Sequence, residues 1–297
     1  MREFQKDDAV ISGRRELLRS AGAAMIAGIV TAATTTVTSV AAQGINRIAK
    51  SSDPADSRDE STSKANEVSA VDTVVLVHGA FADGSCWSKV IPLLTKRGLK
   101  VVAVQNPLSS LADDVTATRR VVDMQKGPVL MVGHSWGGAV ITEAGNHPSV
   151  KGLVYIAAGA PDSGQSFDGW WKSYKPAPGA AEIKPYGEGY VALTREGVRK
   201  HFVQDIPADE ADIVFATQGP LAVRCFSDAI SKAAWRSKPS WYIVAEHDQT
   251  IPPDVERDSA KRMEAKTLVL NSSHVPMLSQ PETVAEFIAN AAATLEG

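Results

Sequence analysis

The sequence predicts an α/β fold, with a mostly parallel central sheet and helices on both faces. Three observations carry this. Runs such as Thr73–Val77 and Val129–Val132 are continuously apolar or β-branched, as strands covered on both faces require. Between such runs lie segments with helical patterning, the rhythm of βαβ units. One strand also runs straight into Gly133-His134-Ser135-Trp136-Gly137, a G-x-S-x-G turn followed at once by an apolar helical stretch.

The chain has 297 residues, 44% hydrophobic and 22% charged, which suits one large domain or a domain with an insertion. A formal net charge of −3 and the lack of a basic cluster in the body of the chain argue against a nucleic-acid partner. Cys86 and Cys225 are too few for a disulfide framework, and a single bridge between them stays open. There is no Cys-x-x-Cys or His/Cys metal spacing, so no metal or cofactor is expected.

Residues 1–42 read as separate from the fold. Arg14-Arg15 precede Leu17-Leu18, the run Ala21–Ala42 is uncharged, and Val40-Ala41-Ala42 offers small residues for cleavage. This resembles a bacterial twin-arginine export signal, which implies a periplasmic or secreted protein. The rival reading is a membrane anchor, but a run of mostly Ala, Thr and Gly favours insertion only weakly, so no stable anchor is expected. Residues 43–70 are polar and without periodicity, and read as a disordered leader. The folded domain is expected over 71–297.

Within it, Thr73–Val77 is the first strand, with a helix from about Trp87 to Arg97. The strand Lys100–Val104, a helix over Asp113–Gln125 and the strand Val129–Val132 follow. A helix over Gly138–Asn146 and a strand over Gly152–Ala157 complete the first half. The second half resumes with the strand Ser240–Val244, a helix over Asp254–Met263, the strand Lys266–Leu270 and a last helix over Pro281–Leu295. The rhythm breaks between about 161 and 238, where Phe167, Trp170, Trp171, Tyr174, Tyr186, Tyr190 and Phe202 accumulate. Such an insertion either packs on itself or roofs the C-terminal strand edge, where ligands bind in open sheets. The second reading makes it a cap and makes Phe81, Trp170, Trp171 and Tyr174 candidate pocket residues.

A serine needs a base to act as nucleophile, and the base needs a group that fixes its tautomer. In a nucleophile elbow the acid and then the histidine follow the serine along the chain. Of the six histidines, His78 and His134 precede or abut Ser135, His147 ends the elbow helix, His201 lies in the insertion and His247 adjoins an acid. His274, in the loop after the last strand, is the candidate base. Asp248, leaving a strand in Glu246-His247-Asp248, is the candidate acid, and Asp162 is its rival. Glu246 and Asp254 read as solvated or capping residues. A tetrahedral oxyanion needs two donors: the backbone N–H of Trp136, and one from His78-Gly79-Ala80-Phe81, with Ala80 preferred over its neighbour Phe81.

These motifs, with Val77–Trp87 and Ser273-His274-Val275-Pro276-Met277-Leu278-Ser279-Gln280-Pro281, resemble bacterial α/β-hydrolases similar to the plant methylesterase and hydroxynitrile lyase branch. The resemblance spans about Val71 to the C-terminus. It implies the α/β-hydrolase fold with a small cap, and the catalytic set Ser135, Asp248 and His274. The lyases carry a lysine directly after the catalytic histidine. Val275 stands there instead, which favours ester hydrolysis over cyanohydrin cleavage. Ser135 also argues against dehalogenases and epoxide hydrolases, which use an aspartate as nucleophile. The expectation is a serine hydrolase acting on a small carboxylic ester, apolar or aromatic in character, through an acyl-enzyme. Lactone or amide hydrolysis, perhydrolysis, and a receptor-like binding protein with vestigial hydrolysis are the alternatives.

Overall fold

The computed structural model describes residues 71–295. The expected signal at 1–42 and the leader at 43–70 lie outside them.

Strand β1 (Thr73–Val77) is buried along its whole length. Asp83 then accepts from the Ser85 N–H (2.8 Å) and starts a 3₁₀ turn at Gly84–Trp87. Helix α1 therefore begins at Val90 rather than Trp87, and ends at Lys96. Strand β2 (Lys100–Val104) leads to helix α2 (Leu111–Asp123), capped by the Ser110 hydroxyl on the Asp113 N–H (3.0 Å). Strand β3 (Val129–His134) extends two residues beyond the expected strand, and helix α3 (Trp136–Ala144) starts two residues early, so Ser135 alone makes the turn. Strand β4 (Val150–Ile156) closes this half.

The cap follows. Helix α4 (Phe167–Trp171) opens it. Strands β5 (Ile183–Pro185), β6 (Tyr190–Leu193) and β7 (Leu221–Ala222) form a small antiparallel sheet. The β5–β6 turn is made by Gly187 and Gly189 at φ 73° and 76°, values glycine adopts without penalty. A π-helical turn at Val198–Phe202 and helix α5 (Ala208–Thr217) lie between β6 and β7. The cap aromatics divide. Phe167, Trp170 and Phe202 are buried, whereas Tyr186 is 61% exposed.

Strand β8 (Ser240–Ala245), helix α6 (Pro253–Arg262), strand β9 (Lys266–Leu270), the short helix α7 (Pro276–Ser279) and helix α8 (Pro281–Ala293) complete the chain. The six main strands run parallel in the order β2-β1-β3-β4-β8-β9. Every residue of β1, β3 and β8 is buried, which requires cover on both faces; edge strands β2 and β9 are partly exposed. Helix α1 packs on α8, and α2 on α3. Because the strands are parallel, the loops after β1, β3, β8 and β9 leave one common edge. Cys86 and Cys225 are buried free thiols, not a bridge.

Candidate active site

Ser135 sits at φ 53° and ψ −121°, a left-handed conformation that costs a non-glycine residue on the order of 1–3 kcal/mol. Three backbone bonds to it hold the strain. Its N–H donates to Ile156 O (3.2 Å), and its carbonyl accepts from the N–H groups of Gly138 and Gly159 (both 3.0 Å). The glycines permit close approach. A Cβ at Gly137 would lie 2.4 Å from Val77 O, and one at Gly79 would lie 2.6 Å from the Ser135 Cβ. The loop after β1 thus passes directly against the serine.

That loop is fixed by His78. Its Nε2 accepts from the Asn106 N–H (2.9 Å), the Asn106 side chain donates back to His78 O (2.9 Å), and Nδ1–H donates to Gly79 O (2.8 Å). These partners define a neutral tautomer, and burial holds the imidazole below the usual histidine pKa. Ala80 and Phe81, both buried, follow, and Phe81 has φ 56°. Trp136 is the first residue of α3, where a backbone N–H has no acceptor within the helix. Its indole N–H donates to Asp114 Oδ2 (2.7 Å), while Asp114 Oδ1 accepts from the Leu108 N–H (2.7 Å). Burial pushes the Asp114 carboxyl up to about 6.

Asp248 and His274 come together. His274 is fully buried, and its Nδ1 shares a short hydrogen bond with Asp248 Oδ2. Asp248 Oδ1 accepts from the N–H groups of Thr250 (2.6 Å) and Ile251 (2.8 Å), which locks the carboxylate. With the proton on Nδ1, the lone pair of His274 lies on Nε2, which is buried and has no partner among the described residues. His134 joins the elbow to this imidazole. Its Nε2–H donates to His274 O (2.9 Å), with the two ring centroids 4.8 Å apart. Burial, and then His274, push the His134 pKa well below its usual value, so it stays neutral. Asp162 is elsewhere. It is paired with Arg236, whose guanidinium holds the carboxyl below its ordinary pKa.

Two buried acids escaped the sequence reading. Asp114 is one. Glu256, on the inner face of α6, is the other: its Oε2 accepts from the Ala245 N–H (2.9 Å). Burial, and then the nearby Asp248, push its pKa well above the ordinary carboxylate value, which favours the neutral carboxylic acid. A two-acid first turn in α2 and an acid among Val255, Ser259 and Ala260 were the only signals. Of the expected pocket residues, Phe81 lies in the loop against Ser135. Trp170 donates to Ser259 Oγ (2.8 Å) and Tyr174, just past α4, donates to Asp258 Oδ2 (2.7 Å), so these two fasten the α4 region to α6, while Trp171 stacks on Trp170. The ring packed on His274 is Phe202, at 5.0 Å between centroids. Beside the β1 loop, a groove of about 250 Å³ is lined by Ala82, Cys86, Lys89, Ile213, Val214 and Leu278, between the main domain and α5.

The sequence profile of the alpha/beta hydrolase family matches residues 74–287. A pyrethroid hydrolase of Sphingobium wenxiniae is 30% identical, over 74% of this chain and 87% of its own. Methylesterase 2 of Arabidopsis thaliana is 24% identical, over 72% of this chain and 93% of its own. The crystal structure of a pyrethroid hydrolase from Sphingobium faniae superposes with a TM-score of 0.65 at 25% identity, covering 75% of this chain and 98% of that one.

Proposed function

The chain belongs to the alpha/beta hydrolase family, and from that premise we propose that it is a serine carboxylesterase acting on small esters with an apolar or aromatic part. One observation carries the mechanism. His274 has one ring nitrogen committed to Asp248 and the other buried and unpartnered, beside an elbow that presents a strained serine. The relatives' names, a pyrethroid hydrolase and a methylesterase, support ester cleavage.

In this reading, His274 Nε2 takes the Ser135 hydroxyl proton as Oγ attacks the ester carbonyl. Asp248 stabilises the imidazolium. The N–H groups of Trp136 and Ala80 hold the oxyanion. The C–O bond to the alcohol then breaks, and the alkoxide departs with the proton from His274. Water, deprotonated by the same nitrogen, attacks the acyl-enzyme and frees the acid and Ser135. Phe81, the Phe202 ring packed on His274 and the groove beside Ala82 offer apolar surface for the substrate. No cofactor takes part.

The test is Ser135→Ala assayed on short p-nitrophenyl esters. A loss of at least ~10³-fold in kcat/KM is expected, and retention of most activity overturns the mechanism. We also propose that residues 1–42 direct a bacterial protein to the periplasm. The supports are Arg14-Arg15, the uncharged run to Ala42 and the small residues at its end. N-terminal sequencing of the exported protein checks this: a start near Gln43 supports it, and an intact Met1 on membrane-bound protein refutes it.

A further inference from the structure

The acid and base loops are not free-standing. Both are fastened from the cap, by two consecutive residues. Gln204 Nε2 donates to the carbonyl of His247 (2.8 Å), the residue before Asp248. Asp205 Oδ2 accepts from the N–H of Ser273 (2.7 Å), the residue before His274. His201, in the same stretch, and Gly179, earlier in the cap, hold the other side of the acid loop. Thr250 Oγ1 donates to His201 O (2.9 Å), the His201 ring bonds to Gln249 Oε1 (2.6 Å), and the Gly179 N–H donates to Gln249 O (2.7 Å). The backbone producing this begins as the π-helical turn Val198–Phe202, which sets the Phe202 ring against His274 before the chain reaches Gln204. A π turn shifts the residues after it out of α-helical register, and such turns cluster at functional sites.

We infer that Gln204 and Asp205 are positioning residues: one holds the loop of Asp248, the other the loop of His274, and their adjacency on one short cap segment reinforces the spacing between acid and base that the His247 N–H bond to Ser272 O (3.0 Å) also maintains. The inference rests on the esterase reading above. Its physical ground is that a general base works only within hydrogen-bond reach of its proton, and a displacement of about 1 Å costs up to ~10²-fold. Both loops are also bonded elsewhere, so losing one cap bond loosens the pair without releasing it.

The two side chains border an open polar recess of about 530 Å³, shared with His247, Gln249, Ser272 and Ser273. Gln204 is half-buried and Asp205 exposed, so truncating either leaves no hole in the core. This makes the inference testable in folded protein.

The experiment measures kcat and KM on p-nitrophenyl acetate, with Tm, for the full chain and for Gln204→Ala, Asp205→Ala, the double alanine variant, Asp205→Asn and Ser135→Ala. Each single alanine is expected to lower kcat about 5–20-fold, with KM within about twofold and Tm within a few degrees. The double variant falls further. Asp205→Asn keeps an oxygen that accepts the Ser273 N–H, and it recovers most of the loss. An inactive Ser135→Ala protein with an unimpaired double variant overturns the positioning role alone. So does a loss carried by KM, or a kcat loss that tracks lowered Tm and is not rescued by Asp205→Asn. An active Ser135→Ala protein overturns the esterase reading and the positioning role with it.

Discussion

The indole N–H of Trp136 donates to the buried carboxylate of Asp114 at 2.7 Å, tying the first residue of the elbow helix to α2. Asp114 also holds the Leu108 N–H at 2.7 Å, so its two oxygens serve two different donors. Replacing it with alanine leaves both donors buried and unpaired, at about 1–3 kcal/mol each. Asp114→Ala is therefore expected to lose about 2–6 kcal/mol in urea unfolding. Activity should fall as well, because the Trp136 backbone moves with its side chain. A loss below about 1 kcal/mol would show that water replaces the carboxylate.

The choice between Asp248 and Asp162 can be settled by paired substitutions. In Asp248→Asn, the side-chain oxygen keeps the Thr250 and Ile251 N–H bonds, while the amide presents a donor to His274 Nδ1. The imidazole must then accept at Nδ1 and carry its proton on Nε2, where a lone pair is needed. A drop in kcat of ~10²–10⁴-fold is expected, with Tm little changed. Asp162→Asn breaks only an ion pair with an exposed arginine and should leave kcat within about twofold. Equal effects of the two substitutions would contradict the assignment.

Glu256 makes a signed prediction about pH. Its pKa is raised in the folded chain, so folded protein holds a proton there that unfolded protein releases. The stability this group contributes is complete below the unfolded carboxylate pKa and is lost as pH rises towards the folded value. Glu256→Gln keeps an oxygen for the Ala245 N–H and cannot ionise. It should raise Tm relative to the parent at pH 8 and give no such gain at pH 4, measured by thermal unfolding in matched buffers. Asp114, at about 6, adds a loss of the same sign between roughly pH 4 and 6. A Glu256→Gln gain that is the same at both pH values would mean that the carboxyl is not held neutral.

Much of the main domain was legible because its signals are local. Thr73–Val77 and Val129–Val132 are apolar without interruption, and the elbow needs its glycines within three residues of Ser135. Chain order singled out Asp248 and His274, and the structure brings those two side chains together. What escaped depends on distant partners. Asp114 takes its meaning from Trp136, 22 positions away, and Asp205 from Ser273, 68 positions away. No local pattern records either pairing. The strands β5, β6 and β7 have two to four residues each, too short for periodicity to register. The cluster of cap aromatics carried composition but no direction. Only the structure shows that Trp170 and Tyr174 turn their polar atoms to α6.

The two buried thiols bear on the redox conditions this fold tolerates. Burial pushes the Cys86 thiol well up and Cys225 to about 12, so neither is a ready thiolate for oxidants or for exchange with other disulfides. With both cysteines free and enclosed, no covalent cross-link within the chain is needed to complete the fold. The native state of the domain therefore does not depend on the thiol–disulfide balance of its surroundings.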